Sequence, residues 1–312
     1  MALMSLPITE RPYMGEADDD CIRMLMAESY ATLGRLRAWS PARFDSMRHG
    51  RYWQQELAGD YSWMADFRTW IARPTLSSQE EHLVGAVHPG DDGEVVLVVH
   101  PAFPLIEDEM LAWTEDHYRA TRPGTRLRLE VVDWDVARQE LLRTRGWTRL
   151  GPCWLHRTRS LDRDLSASAL PAGYTLHQVD HADDGDLRRH CAIINAVFNR
   201  DITLDTMPFI VRRPTPHEYW AAVAPDGDFA AWCGIWLDTR NRWAEFEPVG
   251  THPDHRRKGL AQAVMYQGME RMRALGMRSA FVAPWHDAEA NRLYAAVGLD
   301  AVATVSQWEK AL

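Results

Sequence analysis

One short segment, Val249 to Ala261, limits the possible folds most strongly, because it joins a strand pattern directly to a helix pattern. Ahead of it, residues 243–251 alternate in the manner of a β-strand. After it, apolar residues recur at helical spacing from Leu260 to Leu275, and Gly276 is suited to end the helix. The sequence therefore predicts a strand, a basic glycine-containing loop and an amphipathic helix in immediate succession.

The strand of this unit carries two acidic residues and a proline. Its period of two predicts that Glu245, Glu247, Val249 and Thr251 lie on one face. Pro248 has no backbone N–H group, so it predicts either a β-bulge or an edge position within this strand. A bulge would leave backbone donors unpaired and available to a ligand.

The loop has the composition of a site for a pyrophosphate. A helix N-terminus presents unpaired backbone N–H groups and the positive end of the helix dipole. Gly259 and Ala261 allow a ligand to approach the backbone closely, and Arg256, Arg257 and Lys258 add positive charge. The spacing matches neither a nucleotide P-loop nor the Gly-x-Gly-x-x-Gly fingerprint. We therefore expect an anion cradle of a different type.

The segment Arg256-Arg-Lys-Gly259-Leu-Ala261 resembles motif A of the GNAT N-acetyltransferase superfamily, (Arg/Gln)-x-x-Gly-x-(Gly/Ala). Downstream, residues 277–284 are typical of a strand and residues 287–297 of a helix. Within that helix, Asn291-x-x-Tyr294-x-x-x-Gly298 resembles motif B of the same superfamily. The resemblance extends from about residue 173 to the end of the sequence.

The resemblance implies an enzyme that uses acetyl-CoA as co-substrate and transfers its acetyl group to an amine by direct attack on the thioester. No metal is implied. The residues that it implies for coenzyme A binding are Val249, Gly250, Thr251, Arg256, Arg257, Lys258, Gly259, Leu260, Ala261, Asn291 and Tyr294.

The same resemblance implies roles in catalysis for three side chains. Tyr294 matches the tyrosine that protonates the departing coenzyme A thiolate, and a phenol remains protonated at pH 7. Glu245 stands where some members carry a glutamate that deprotonates the acceptor amine, with Glu247 as the second candidate. A carboxylate acts as a base if burial raises its pKa towards neutrality. Alternatively, both glutamates bind a cationic substrate.

The first half of the sequence mirrors the second. His100-Pro101 pairs with His252-Pro253 at an offset of 252 − 100 = 152, and Gly146 pairs with Gly298 at 298 − 146 = 152. This agreement predicts an internal repeat. At the same offset Gly259 becomes Glu107, and an acidic side chain would repel a pyrophosphate.

We therefore expect an α/β (α+β) protein of two tandem GNAT-like domains, each a mixed, mostly antiparallel twisted sheet flanked by helices. Residues 1–163 would form a degenerate domain and residues 164–312 the catalytic domain. Residues 161–173 have the composition of a linker. The layout is similar to that of tandem GNAT proteins of the mycothiol synthase type, and the substrate stays open.

Composition limits the partners. A net charge of −9 disfavours nucleic acid and suits a cationic acceptor. No apolar run approaches the length of a membrane span, and no signal peptide is recognisable. The four cysteines are widely separated and form no metal-ligand set, which favours reduced thiols and a cytoplasmic location. A monomer or a homodimer is expected.

The function predicted from the sequence is thus N-acetylation of a small-molecule amine. A binding protein that senses acyl-CoA without turnover, and an acyltransferase that uses another acyl group or a peptide or protein amine, are the alternatives. An aromatic-rich stretch between Trp39 and Trp70 is interpreted as core, with a lid over the substrate as the second interpretation.

Overall fold

The computed structural model of the protein describes residues 6–73, 81–90, 93–165, 170–211 and 213–312. The chain divides into two compact units. Unit 1 contains residues 1–154 and 303–312, and unit 2 contains residues 155–302. In the described part of the chain, no helix is both long and apolar enough to cross a membrane.

The secondary structure follows the order expected of two repeats. The first part of the chain forms β1 (Ile8–Pro12), α1 (Glu16–Leu33), α2 (Pro41–Arg51), α3 (Trp53–Leu57), a 3-10 turn (Ser62–Asp66), β2 (Arg68–Ala72), β3 (His82–Pro89), β4 (Val95–Val99), α4 (Ile106–Thr121), β5 (Arg126–Val132), α5 (Val136–Thr144) and β6 (Thr148–Ser160). The second part forms β7 (Thr175–Gln178), α6 (Asp184–Phe198), α7 (Met207–Val211), β8 (His217–Val223), β9 (Phe229–Asp238), β10 (Trp243–Thr251), a 3-10 turn (Pro253–His255), α8 (Leu260–Ala274), β11 (Ser279–Val282), α9 (Ala290–Ala296) and β12 (Ala301–Ala311).

Unit 1 is built on an antiparallel sheet in the order β1-β2-β3-β4. The apolar side chains of β4 point alternately to the two faces of the sheet. Val95, Leu97 and Val99 pack with α4 on one face, and Val96 and Val98 pack with α1 on the other. This alternation is what a strand covered on both faces requires. A further antiparallel pair joins β5 to β12.

Aromatic side chains between Trp39 and Trp70 fill the α1 face of unit 1. Phe44 is fully buried there and Phe67 is 2% exposed, whereas Trp70, also fully buried, packs on the α4 face. Tyr52 and Trp63 stack at a centroid distance of 4.3 Å. The interpretation as core is therefore confirmed for these rings, whereas Tyr61 of the same stretch is 55% exposed.

Unit 2 contains the strand order β6-β11-β10-β9-β8-β7. All neighbouring pairs described in this run are antiparallel except β10 and β11, which are parallel. Helix α8 packs on one face of β9 and β10, where Gly268 allows close approach: a Cβ atom there would lie 2.7 Å from the Phe246 ring. Helices α6 and α7 cover the other face of the sheet.

The last strand of each repeat extends into the other unit. β12, at the end of the second repeat, pairs with β5 in unit 1. The end of β6 pairs with β11 in unit 2, from Arg157 opposite Val282 to Ser160 opposite Ser279. The sequence alone predicts that a strand at residues 153–157 closes the first half. Instead, residues from Leu155 onward belong to unit 2.

The repeat is confirmed for the later elements of each half. At the offset of 152, β5, α5 and β6 fall on β11, α9 and β12, and α4 falls on α8. The segment interpreted as a linker begins differently, because Leu161 is only 1% exposed and joins the core of unit 2. Residues 166–169 of that segment, and Asp91-Asp92 of the predicted hairpin turn, lie outside the described residues. The assignment of catalytic and degenerate domains to 164–312 and 1–163 stays a prediction.

Candidate active site

The strand β10 contains the bulge that Pro248 predicted. Phe246 lies opposite Ile235 of β9, whereas the next aligned pair is Val249 with Cys233. Two residues of β10, Glu247 and Pro248, therefore oppose the single residue Gly234. A β-bulge is defined by this two-against-one count.

The bulge corrects the prediction that four residues share a face of β10. Residues directly opposite each other in an antiparallel pair lie on the same face. Glu245 lies opposite Trp236, on the face covered by α6 and α7, whereas Val249 lies opposite Cys233 and packs on the α8 side. The extra residue shifts the alternation by one, so Val249 and Thr251 do not share the face of Glu245.

Strands β10 and β11 separate immediately before the bulge. Their recorded pairing covers residues Trp243 to Glu245, opposite Ser279 to Phe281. The following stretch of β10 is paired with β9 alone. The parallel pair therefore opens at its carboxyl end into a gap between two strands, lined on one side by the edge of β10.

This edge presents backbone donors to the gap. His252 N–H donates to the Ala230 carbonyl of β9 at 2.8 Å. Because successive N–H groups of a strand point in opposite directions, those of Val249 and Thr251 point away from β9 and into the gap. Both residues are half-buried. Gly250 between them is buried under Trp232, since a Cβ atom at this position would lie 2.2 Å from the ring.

The loop that follows has the shape of an anion cradle. Arg257 and Gly259 both take left-handed backbone conformations, with φ of 65° and 77° respectively. Gly259 is the residue before α8, and its side chain can supply no cap. The N–H groups of the first helical turn, from Leu260 to Gln262, therefore have no partner within the helix. Turns that contain left-handed residues can bring successive N–H groups together into a concave anion-binding site.

Three cations surround the cradle. Arg256, Arg257 and Lys258 are exposed. None of them forms a salt bridge with a carboxylate in the described part of the chain. Lys258 Nζ donates instead to the Tyr174 hydroxyl at 3.1 Å, and that hydroxyl lies 2.9 Å from His255 Nδ1. The positive charge is therefore available to a bound anion.

Two residues of the predicted cradle anchor it to unit 2. Leu260 is 1% exposed and belongs to the core beneath α8. Ala261 is half-buried in the first turn. Burial of one side chain and the small size of the other keep the helix N-terminus close to the sheet while leaving its backbone open.

Tyr294, on α9, lies in the same core as Cys233 and α8. It is 7% exposed, and no hydrogen bond of its hydroxyl is recorded with the described residues. Burial, together with the carboxylate of Glu247 and the thiol of Cys233, raises the pKa of Tyr294 above its usual value. The phenol is therefore protonated throughout the neutral pH range and can donate a proton.

The two glutamates occupy different environments. Glu245 is 4% exposed, within the part of β10 that is paired on both sides. Glu247 is exposed, in the bulge at the opening of the gap. Its charge also contributes to the raised pKa of Tyr219, after the larger effect of burial. Glu247 therefore lies within electrostatic reach of Tyr219 on the α6 face and Tyr294 on the α8 face.

Asn291 is already occupied by other parts of unit 2. Its amide nitrogen donates to the Trp285 and His286 carbonyls at 2.9 and 3.1 Å. Its amide oxygen accepts from Arg157 Nε at 2.8 Å. These bonds hold the turn between β11 and α9. The contact of Asn291 with coenzyme A stays a prediction.

Sequence reasoning did not find the residues that shape the bulge. A Cβ atom on Gly234 would lie 2.3 Å from the Glu247 carbonyl oxygen, so glycine is required opposite the bulge. Trp236 Nε1 donates to that same oxygen at 2.6 Å. Nothing local in the sequence predicts either contact, because both depend on the register between β9 and β10.

Among the described residues, no group of three or more His, Cys, Asp or Glu side chains is arranged to hold a metal ion. The described candidate site thus consists of a backbone cradle, a strand edge, a phenol and two carboxylates.

Comparison with known proteins agrees with this geometry. Residues 188–299 match the model of the acetyltransferase (GNAT) family. No curated protein is significantly similar to the chain.

Solved structures share the fold of the whole chain. A tandem GNAT protein from the clavulanic acid biosynthesis pathway superposes with a TM-score of 0.65 at 18% identity, over 98% of each chain. A GCN5-related N-acetyltransferase from Sphaerobacter thermophilus gives a TM-score of 0.60 at 16% identity, over 98% of this chain and 97% of its own. A GCN5-related N-acetyltransferase from Kribbella flavida gives 0.51 at 22% identity, over 72% of this chain and 85% of its own. The chain therefore has the tandem arrangement of two such folds.

Proposed function

We propose that the chain is an acetyl-CoA-dependent N-acetyltransferase acting on a small-molecule amine. The chain belongs to the acetyltransferase (GNAT) family through residues 188–299. Membership of this family supports acyl transfer as the class of reaction. The observation that carries the finer proposal is the gap between β10 and β11, which joins the anion cradle of α8 to a buried phenol and to Glu247.

The described residues fit coenzyme A. The pyrophosphate would accept hydrogen bonds from the nest at Arg257 and Gly259 and from the first turn of α8, with Arg256 and Lys258 adding charge. The pantetheine arm would lie along the edge of β10. There the N–H groups of Val249 and Thr251 would bond its amides and polarise the thioester carbonyl.

The transfer needs one proton removed and one supplied. The neutral amine nitrogen attacks the thioester carbon and forms the C–N bond as a tetrahedral intermediate. Its collapse breaks the C–S bond, and the electron pair leaves on sulphur. A glutamate accepts the ammonium proton, and Tyr294 donates its phenolic proton to the departing thiolate. The products are an amide and free coenzyme A.

We assign the role of base to Glu247, with Glu245 as the alternative. Glu247 stands at the mouth of the gap and is exposed, so it can exchange protons with water and reach an entering amine. Glu245 is 4% exposed in the fully paired part of β10 and faces α6 and α7. Its charge would attract a cationic acceptor on that face.

The acceptor would bind on the face of the sheet that α6 and α7 cover, and the side chains there favour a small cationic amine. Besides Glu245 this face carries the rings of Tyr219, Trp236 and His217, and His217 stacks on Trp236 at 4.4 Å. Carboxylates combined with aromatic faces bind amines by charge and by cation–π attraction. The net charge of −9 acts in the same direction.

We place this activity in the cytoplasm, in a monomer or a homodimer. Cys21, Cys153, Cys191 and Cys233 are all free thiols. Reduced cysteines suit a compartment in which thiols are kept reduced.

The test is free-thiol release from acetyl-CoA in the presence of ethanolamine, putrescine, tyramine or glucosamine. We expect release that depends on the amine. Arg256→Glu should raise the KM for acetyl-CoA, because it places a carboxylate beside the pyrophosphate. Tyr294→Phe should lower kcat by about a hundredfold with little change in acetyl-CoA binding, since it removes only the general acid. Tyr266→Phe, on α8 in the same core, is the matched control and should behave as wild type.

Two results would redirect the proposal. Tight acetyl-CoA binding that Arg256→Glu abolishes, without turnover on any amine, would indicate an acyl-CoA sensor. Turnover with propionyl-CoA or with a peptide amine in place of these probes would retain the site and change the substrate.

A further inference from the structure

We infer that Trp236 is a positioning residue for the reaction: its indole N–H holds the bulge carbonyl of Glu247 and so fixes the Glu247 carboxylate at the mouth of the gap. This inference rests on the proposed function and adds to it a residue outside both motifs of the family resemblance.

Trp236 is held on β9 by its neighbours on both sides. It is 5% exposed and lies opposite Glu245 of β10 and His217 of β8. His217 stacks on it at 4.4 Å with an interplanar angle of 22°. The nitrogens of His217 lie 2.9 Å from the Thr215 carbonyl oxygen and 2.6 Å from that of Val211. The indole therefore has a fixed position relative to the sheet.

From this position the indole reaches across the strand. Trp236 Nε1 donates to the Glu247 carbonyl oxygen at 2.6 Å. Bulge residues leave the regular ladder, so their carbonyl groups need another partner when they turn towards a covered face. The indole supplies that partner, and the carbonyl direction sets the direction of the Glu247 side chain, which starts from the same residue.

Gly234, on β9 opposite the bulge, supports the same geometry. A side chain there would place its Cβ atom 2.3 Å from the Glu247 oxygen and 2.9 Å from Tyr219 Cε1. The carbonyl thus lies directly over the glycine, between the indole and the phenol. Gly234 and Trp236, two residues apart on the same face of β9, therefore both contact one backbone atom of β10.

The consequence concerns the proton transfer rather than the binding of coenzyme A. The cradle at residues 256–261 is separate from the bulge, and α8 packs on the opposite face of β10 from Trp236. Loss of the indole N–H should therefore change kcat and leave acetyl-CoA affinity unchanged. An error of about 1 Å in the position of a catalytic group can cost about a hundredfold in rate. We therefore expect kcat to fall by about tenfold, within a range from threefold to a hundredfold.

The test compares Trp236→Phe with Trp243→Phe. Trp243 is also buried, at 3% exposed, and donates its indole N–H to Asp238 Oδ2 at 2.9 Å, at the other end of β10. Both variants lose the same volume and an indole N–H donor. We expect Trp236→Phe alone to lower kcat by about tenfold and to shift the acidic limb of the kcat profile against pH, with the KM and Kd for acetyl-CoA within about twofold of wild type.

Gly234→Ala provides a second variant that displaces the same carbonyl from the opposite direction. It should reproduce the kcat loss and the altered pH profile of Trp236→Phe.

The outcomes separate this inference from the proposed function. Absence of turnover by the wild-type protein on ethanolamine, putrescine, tyramine and glucosamine would overturn the proposed function and, with it, this role. If the wild type turns over, then equal behaviour of Trp236→Phe and Trp243→Phe, an unchanged pH profile, or lost acetyl-CoA binding would overturn the positioning role alone.

Discussion

The N-termini of α8 and α4 occupy equivalent places in the two repeats. The N-terminus of α8 is open to a ligand, whereas that of α4 is occupied by a carboxylate of the chain itself. At α8 the residue before the helix is Gly259, and the adjacent Arg256 and Lys258 are exposed without carboxylate partners among the described residues. At the same offset of 152, α4 carries Glu107 in its first turn, and Glu107 is 2% exposed.

The carboxylate of Glu107 is held by two arginines. It pairs with Arg37 through Oε1 at 2.5 Å and with Arg138 Nε through Oε2 at 2.9 Å. Asp135 completes the cluster by pairing with Arg37 at 2.7 Å. Burial opposes its ionisation, but Arg138 and Arg37 together hold the pKa of Asp135 below its usual value. Two negative and two positive groups therefore balance inside unit 1.

The difference shows how a repeat can keep a fold while its helix N-terminus changes partner. In unit 2 the positive end of the helix is left for a ligand, whereas in unit 1 the chain provides its own anion at that place. This supports our proposal that the first repeat does not bind coenzyme A.

The largest effect is expected from Glu107→Gln. Removing one member of a buried ion cluster leaves the arginines uncompensated and typically costs about 3–5 kcal/mol. Thermal unfolding should show a clear loss of stability, while acetyl-CoA affinity of the remaining folded protein stays as in wild type. Asp108→Asn is the matched control: its carboxylate is 64% exposed, and breaking its pair with Arg145 should cost about 0–1 kcal/mol. Equal losses in both variants would contradict the balance inside unit 1.

The converse change, Gly259→Glu, copies the first repeat into the second. The new side chain must adopt the left-handed conformation of Gly259, which costs about 1–2 kcal/mol, and its carboxylate would repel the pyrophosphate. We expect the Kd for acetyl-CoA to rise by about a hundredfold, equivalent to about 2.7 kcal/mol, in isothermal titration calorimetry.

Gly276→Glu serves as the control for Gly259→Glu. Gly276 follows the other end of α8 and is also left-handed, with φ of 83°, and no atom lies closer than 3.9 Å to its Cβ position. It should lose similar stability and keep its affinity. Comparable loss of affinity in both variants would mean that helix distortion, rather than the cradle, explains the result.

The two units should also differ in how their folding stability changes at acidic pH, and this effect should be smaller than the two above. Burial lowers the pKa of His190 to about 3 and that of His181 to about 4, both in unit 2. Because these values lie below those of the unfolded chain, the unfolded state takes up protons first, and stability is lost as the pH falls below about 6.5. In unit 1 burial lowers the pKa of His88 to about 4, but burial also raises that of Asp19 to about 6. Because the pKa of Asp19 is higher in the folded state than in the unfolded chain, protonation of Asp19 stabilises the folded state as the pH falls over the same range. The contributions of His88 and Asp19 in unit 1 therefore oppose each other.

His190→Gln tests this difference. Between pH 7 and 5.5 each buried neutral histidine should contribute about 1 kcal/mol of lost stability. The fall in melting temperature over this interval should therefore be smaller in His190→Gln than in the wild type. His286→Gln, which changes an exposed histidine, should show the wild-type fall. An unchanged fall in His190→Gln would exclude His190 as a source of the acid sensitivity.

Local signals in the sequence predicted several elements accurately. The sequence alone predicts helices at residues 136–144 and 184–198, and α5 and α6 have these bounds. Each follows an aspartate, Asp135 or Asp183, whose side chain accepts the N–H of the third residue after it. N-capping of this kind is encoded by adjacent residues. The bulge at Pro248, which the proline itself indicated, is local in the same sense.

Features that depend on distant residues were not predicted. The period of two misplaced Val249 and Thr251, because the bulge shifts the alternation and its register is set by β9. The contact of Trp236 with Glu247 depends on that register as well. Helix α7, within a segment interpreted as a variable loop, is a single short turn whose Met207 is buried by unit 2 rather than fixed by its own sequence.

The exchange of last strands has a consequence for biosynthesis. Residues 303–312 complete unit 1, but the ribosome translates them after all of residues 155–302. At about 5–20 residues per second, the edge of β5 waits roughly ten to thirty seconds for β12. An open strand edge is a template for pairing with other chains. The nascent protein therefore passes through an interval in which the edge of β5 is open to pairing with other chains, and this interval lasts until β12 has been synthesised.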